Sequence, residues 1–390
     1  MNGGLIMSQN TDEGLGALLR RVSLFLAPLL LLAGPVLISL EVVGELIGCE
    51  EIVEEQLAHD SLVAMAYSNP ARCLKAKMVE ARKPTIVALG SSRVMQFREF
   101  FFMKPKRFYN AGGAVARIRD FNAFLEEVDT EGIELFVIAL DQYYFNHNFD
   151  DMTRSPKSFE NRYSAMRVLR KQTLLQNYWE GKIDLARIGR PARIGLTALM
   201  YDEGFRPDGS YRSGRLIKFP ELAEDIDFHD TYDRIEAGDR RFQYGAEVNP
   251  EAFDELDDFL SACQKRRIQV VAILPPYAHE VWGALMEHGE EEIADHRYAY
   301  MVDLPSTLQP LFDRYGFEFF DFSDIARVGS PDDETLDGFH GSEVAYLRLT
   351  LKMAETSRIL GDYVDADQLE KMLNGIHSAL EISSTDGAEG

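Results

Sequence analysis

Cysteine is scarce: the chain holds three, Cys49, Cys73 and Cys263, in 390 residues. That excludes a disulfide-stapled scaffold and a zinc site built from cysteine alone, and leaves room for one bridge at most. Basic charge is also short. Lys and Arg number 41 against 64 Asp and Glu, a formal net charge of −23. General nucleic-acid binding is thereby disfavoured, because neutralising phosphates needs a basic surface. His147, His279, His288 and His296 show no metal-ligand spacing with one another, so no metal is assigned, and the sequence calls for no cofactor. There is no internal repeat. What is present is a globular composition, 46% hydrophobic and 27% charged, too apolar for a disordered chain. Its length suits about two domains, or one α/β domain with an insertion.

The charge is unevenly spread. Between Asp151 and Pro220 there are 14 Lys/Arg against 7 Asp/Glu. The stretch includes Arg162, Arg167, Arg170, Lys171, Arg187, Arg190, Arg193, Arg206, Arg212 and Arg215. Two readings stand side by side: a solvated helix surface that balances an acidic body, or a patch for an acidic polymer, a lipid headgroup or a partner.

The N-terminus carries a single uncharged apolar run, the 19 residues from Val22 to Leu40. As a helix it reaches roughly 28 Å, about the thickness of a bilayer's hydrocarbon core. Pro28 and Pro35 are tolerable in a membrane helix. Arg20 and Arg21 precede the run, and Glu41, Glu45, Glu50, Glu51, Glu54 and Glu55 follow it. The positive-inside rule then places residues 1–21 in the cytoplasm and the rest outside, behind a single-pass anchor in the inner (cytoplasmic) membrane. A cleaved signal peptide would want a shorter run and a small-x-small site. Leu46-Ile47-Gly48-Cys49 looks like a lipoprotein box, but Glu41 and Glu45 sit where the apolar run should continue. In an oxidising exterior Cys49 and Cys73 can pair, although spacing alone does not establish it.

Residues 41–83 read as a juxtamembrane helical segment. From 84 to 362, short apolar runs alternate with helical patterns. The runs are Thr85–Leu89, Arg107–Asn110, Leu135–Leu140, Val270–Leu274 (stopped by Pro275-Pro276) and Phe317–Asp321. The helical patterns are Asp120–Val128, Glu251–Arg266 and 343–361. Such alternation predicts an α/β three-layer sandwich with a five-stranded parallel sheet. Residues 150–250 interrupt it as an insertion or lid, and 363–390 form a C-terminal helix and loose tail.

In a sheet of this kind, chemistry gathers beyond the C-terminal strand ends. The loops there read Gly90-Ser91-Ser92-Arg93, Asn110-Ala111-Gly112-Gly113, Asp141-Gln142-Tyr143-Tyr144-Phe145-Asn146 and Asp337-Gly338-Phe339-His340. They supply a hydroxyl, approachable backbone amides, polar side chains and a carboxylate–imidazole pair. A serine hydroxyl needs an imidazole to take its proton, and the imidazole needs a carboxylate to orient it and stabilise its cation. An Asp three residues before a His does this within one loop. The oxyanion of a tetrahedral intermediate then needs hydrogen-bond donors.

The order Gly-Ser-Ser, Asn-Ala-Gly-Gly, a polar residue after the third strand, then Asp-Gly-Phe-His resembles the SGNH/GDSL hydrolase superfamily. The apolar anchor, the Gly-Ser-Ser-Arg variant and the Pro275-Pro276 exit look closer to its exported branch, the AlgX/AlgJ-like polysaccharide O-acetylation proteins and DltD-like proteins. The resemblance covers roughly residues 84–145 and 268–350. It implies an SGNH/flavodoxin-like sheet with Ser92 as nucleophile, His340 as general base and Asp337 as its orienting acid. Gly112 or Gly113 would take the place of an oxyanion glycine beside the Ser92 amide. Asp141 falls where relatives place an oxyanion asparagine. An ionised carboxylate cannot donate, so either Asp141 is protonated, Gln142 supplies the amide, or the donors are backbone alone.

The resemblance further implies a membrane-anchored serine acyltransferase or carbohydrate esterase. It would act on acyl esters, acetyl above all, of a cell-envelope polysaccharide, with a multi-spanning membrane acyltransferase as partner. The alternative is a catalytically weak scaffold or polysaccharide-binding module of an envelope export or acylation complex. Each residue also has a plainer reading. Ser91 or Ser92 caps the next helix, His340 starts one, and Asp337 forms a turn with Gly338. Gly112-Gly113 serves packing, and Asn110 closes a strand. Arg93 pairs with an internal carboxylate rather than an acidic substrate, and Tyr143-Tyr144-Phe145 is core rather than a platform for sugar rings.

Overall fold

The structure, a computed structural model, describes residues 9–104, 107–149, 180, 192–220, 225, 227–290 and 297–382. In chain order the N-terminal elements are α1 (Gln9–Val42), α2 (Cys49–His59), β1 (Leu62–Val63) and α3 (Ala71–Arg82). The first half of the sheet domain is β2 (Ile86–Gly90), β3 (Phe108–Gly112), α4 (Asp120–Glu127) and β4 (Leu135–Ala139). Between its halves come β5 (Arg193–Ile194), α5 (Leu196–Tyr201), β6 (Gly204–Phe205), β7 (Tyr211–Arg212), α6 (Gly214–Lys218) and α7 (His229–Ala237). The second half is α8 (Pro250–Arg266), β8 (Gln269–Leu274), α9 (His279–Glu290), α10 (Ala299–Tyr315), β9 (Glu318–Asp321), α11 (Glu343–Ala354) and α12 (Ala366–Asn374).

The five expected strands form one all-parallel sheet in the order β3-β2-β4-β8-β9. Their apolar runs are buried on both faces, and side-chain alternation sorts them. Val87, Leu89, Phe136, Ile138, Val270 and Ala272 pack with α3, α4, α8 and α10 on one side. Ile86, Ala88, Leu135, Val137, Val271 and Ile273 pack with α11 and α12 on the other. The strand order reverses between β2 and β4, and a crevice opens at such a point beyond the strand ends. The loop after β2 carries Ser92.

The 41–83 segment, expected to be helical, instead holds two separate helices beyond the end of α1. Asp60 closes α2 in the left-handed region at φ 48°. The chain then runs through β1, which pairs parallel with β5 and antiparallel with β6. Together with β7 these make a second, four-stranded sheet that joins the 41–83 segment to the middle region. The expected 343–361 helix ends at Ala354. Most of the 150–191 stretch and the 383–390 tail lie outside the described residues.

Helix α1 contains the 22–40 run with Pro28 and Pro35 inside it. Phe25 and Leu31 stand 78% and 76% exposed, whereas Val36 and Leu40 are buried against Tyr67 and Leu196. Counted over the described residues, no helix is long and apolar enough to cross a membrane; four side chains of the run (29, 30, 32 and 33) are outside that count. Just past the helix, the buried Glu45 carboxylate accepts from the backbone N–H of Ala66 at 2.7 Å and of Leu196 at 2.7 Å. It thereby fixes α1 to both strands of the β1/β5 pair's exit. Cys49 and Cys73 form a disulfide that joins α2 to α3 across 24 residues of sequence, so the Cys49 thiol is engaged.

Closing a loop of this length restricts the unfolded chain by about 3 kcal/mol. The double substitution Cys49→Ser, Cys73→Ser should lower stability to denaturant by that amount. Reductant should produce the same shift in the unsubstituted chain and none in the variant.

Candidate functional site

Strand β2 ends close against β4: a Cβ at Gly90 would lie 3.1 Å from the Ala139 carbonyl oxygen, a tight contact. Two serines follow, and their jobs divide. The Ser91 hydroxyl accepts from the Arg93 N–H at 3.1 Å and caps a short 3-10 turn over Ser92–Val94. Ser92 is left to face outward. Its Oγ is 2.8 Å from His340 Nε2. His340 Nδ1 lies 2.8 and 3.0 Å from the two oxygens of Asp337. The loop holds its own acid in place: Asp337 Oδ1 accepts the backbone N–H of His340 at 2.7 Å and of Phe339 at 3.1 Å. Ser342, rather than His340, caps α11.

The sequence thus brings Ser92, His340 and Asp337 together across 248 residues. With Nδ1–H directed at the carboxylate, Nε2 presents its lone pair to the Ser92 hydroxyl, the tautomer being set by this bond network. Burial works to raise the Asp337 carboxyl. The charge of His340 and the hydrogen bonds from its ring, its backbone and Phe339 outweigh that and hold it at about 2. Such a chain of groups can accept a serine proton and stabilise the resulting imidazolium.

Arg93 is the buried centre behind these loops, 1% exposed. Its guanidinium stacks 4.1 Å from the Tyr277 ring centroid and 4.5 Å from that of Phe339. It donates to Gln142 Oε1 and to the Pro275 carbonyl, each at 2.8 Å, and faces Asp141 Oδ1 at 3.5 Å. Arg93 therefore follows the plainer expectation of an internal pair. Because Phe339 adjoins His340, the guanidinium clamps the His340 loop onto the ends of β2, β4 and β8.

The expected oxyanion residues are placed otherwise, for reasons of bonding. Asp141 accepts from the Tyr143 hydroxyl at 2.7 Å and turns its other oxygen to Arg93. The Gln142 amide donates to Pro275 O and Ser323 Oγ, both at 3.0 Å. Gly112 N–H donates to Asn110 Oδ1 at 2.8 Å, and Gly113 N–H to Gly90 O at 2.9 Å. Gly112 and Gly113 serve packing: a Cβ at Gly112 would lie 2.7 Å from Met95, and Gly113 has φ +84°. The backbone N–H of Ser92 makes no hydrogen bond among the described residues.

Tyr143, Tyr144 and Phe145 are core, at most 2% exposed, and offer no platform to sugar rings. In the basic stretch the described arginines are paired internally: Arg193 and Arg212 with Asp202, Arg206 with Glu343 and Glu381, Arg215 with Glu203. Arg162, Arg167, Arg170, Lys171, Arg187 and Arg190 lie outside the described residues. His279 pairs with Asp324 at 3.0 Å. Among the described residues no cluster of His, Cys, Asp and Glu is arranged to hold a metal ion.

The Ser92–His340–Asp337 chain opens into a cavity of about 900 Å³. Its opposite wall comes from the segment after β1 and from the middle region, including Asn69, Thr197, Arg234 and Arg241. The Arg241 guanidinium lies 5.0 Å from the Phe339 ring centroid. Sequence reading missed this wall, because nothing local in residues 63–70 or 234–241 marks them as neighbours of Ser92. The chain matches no protein-family model and no curated protein.

Arg93→Met would strand the Asp141 carboxylate in the interior and should cost about 3–5 kcal/mol. Adding Asp141→Leu should recover part of that loss in a denaturation series. Asp337 binds its proton less tightly folded than at its ordinary value of 3.8. The stability it contributes is present above that value and is lost as pH falls toward 2. Asp337→Asn should therefore be less stable than the unsubstituted chain at pH 6, and the gap should close by about pH 2.

Proposed function

We propose that this chain is a membrane-anchored, exported serine acyltransferase or esterase of SGNH type that works through an acyl-Ser92 intermediate. The observation that carries the reading is the 2.8 Å contact between Ser92 Oγ and His340 Nε2, with Asp337 behind the ring, at the point where the strand order reverses. Ser92 Oγ attacks an acyl carbonyl while its proton passes to His340 Nε2. The carbonyl's π pair becomes the oxyanion. Its collapse expels the alkoxide, which takes the proton back from His340. Water or a sugar hydroxyl then attacks the acyl-enzyme, its proton again passing through His340, and Ser92 is regenerated.

The acyl group is acetyl and the acceptor a cell-envelope polysaccharide, on the strength of the resemblance in motif order. Two features support an exported, anchored position. Helix α1 carries the uncharged 22–40 run with arginines before it and open apolar side chains such as Phe25. The Cys49–Cys73 disulfide suits an oxidising compartment. Outside the cytoplasm acyl-CoA is absent, so a multi-spanning membrane acyltransferase delivers the acyl group.

One observation favours the second reading, a catalytically weak scaffold or polysaccharide-binding module: Gly112, Gly113 and Gln142 have their N–H groups already bonded. One experiment separates the two. Full-length protein in detergent is given a chromogenic acetyl ester, and the Ser92 peptide is analysed for added acyl mass. The enzyme reading predicts an acetyl adduct on Ser92, and turnover that falls more than about 10³-fold in Ser92→Ala. Polymer acylation unchanged in Ser92→Ala supports the scaffold.

A further inference from the structure

We infer that the side-chain amide of Gln96 completes the oxyanion hole beside the Ser92 N–H; this rests on the acyl-serine reading above. Gln96 is only 5% exposed, yet its amide makes no hydrogen bond among the described residues, and it lines the same cavity as Ser92 and His340. The amide is not one of the side-chain groups sealed away without a partner, so it keeps access to the cavity and is available to a ligand group there. The group formed there by the chemistry of Ser92 is an oxyanion, and Gln96 Nε2–H is a donor of the right sign.

The backbone that carries Gln96 is pinned in advance. Asn110 Nδ2 donates to the carbonyls of Val94 and Phe97, each at 2.9 Å, and the Met95 carbonyl accepts from Tyr211 N–H at 3.0 Å. Asn110 thus spans the turn on both sides of Gln96 and acts as a positioning residue. Gln96 lies four positions after Ser92, in the turn that follows the 3-10 segment Ser92–Val94, and both residues line the same cavity. A fixed donor stabilises developing charge without reorganising, which is where such groups gain their effect. Asn69 also lines the cavity, but it is exposed and its Oδ1 is engaged by the Ala71 N–H at 3.0 Å. It is the competing candidate for the second donor.

The test measures ester turnover by the full chain in detergent for Gln96→Leu, Gln96→Glu and Asn69→Ala. The expected result is a fall in kcat of about 10²–10³-fold in both Gln96 variants with KM nearly unchanged, and a smaller fall in kcat in Asn69→Ala. In the unsubstituted chain, a boronic acid that forms a tetrahedral adduct on Ser92 should also shift the Gln96 side-chain amide resonance. This readout does not depend on the variants folding. Full turnover in Gln96→Leu, a loss confined to Asn69→Ala, or an unmoved Gln96 resonance in the presence of the adduct overturns the inference and leaves the acyl-serine reading intact. Absence of turnover and of any Ser92 adduct in the unsubstituted chain overturns that reading, and this one with it.

Discussion

Placing a guanidinium inside a protein costs several kcal/mol unless its charge and its donors are matched, and the strand ends of this molecule are arranged around that requirement. Arg93 follows Ser92 directly, so whatever holds Arg93 also fixes the hydroxyl. Its partners come from three other places along the chain: Asp141 and Gln142 after β4, Pro275 and Tyr277 after β8, and Phe339 beside His340. The Tyr346 hydroxyl adds a hydrogen bond to the Arg93 carbonyl from α11. One buried cation thereby brings the β2 loop, the β4 loop, the β8 exit and the His340 loop into register.

The second constraint runs from the N-terminal helix to the cavity. Glu45 ties the end of α1 to Ala66 and Leu196, which are neighbours of cavity-lining Met65 and Thr197. The Cys49–Cys73 disulfide binds α2 to α3, and Arg72 at the start of α3 pairs with Asp120 at 2.9 Å. The buried Lys75 amine donates to the Asn110 and Gly209 carbonyls, linking α3, β3 and the middle region; burial lowers its pKa to about 7 against the pull of Asp208. The cavity wall opposite Ser92 is thus held to both the helix and the sheet.

The five strands were legible because each is a short apolar run with punctuation, a local signal. Ser92, Asp337 and His340 were legible because a hydroxyl at a strand-to-helix turn and an Asp-x-x-His loop are also local patterns. The oxyanion residues were not. Whether Gly112 or Gln142 has a free N–H depends on Asn110, Pro275 and Ser323, partners that spacing does not reveal. Asp141 falls at the expected loop position, but its chemistry was set by Arg93 and Tyr143. The two-residue strands β1 and β5 are too short to carry a period, so the joining of 41–83 to the middle region left no trace in the sequence. Gln96 emerged only as a cavity-lining amide that no other side chain or backbone group among the described residues engages, a property that exists only in three dimensions.

On the acyl-serine reading His340 makes Ser92 a nucleophile, and an organofluorophosphonate reports this most directly. Incubation of the full chain should give one adduct, on the peptide containing Ser92, at a rate that collapses in His340→Ala. No adduct, an adduct on another serine, or undiminished labelling of Ser92 in His340→Ala would contradict it.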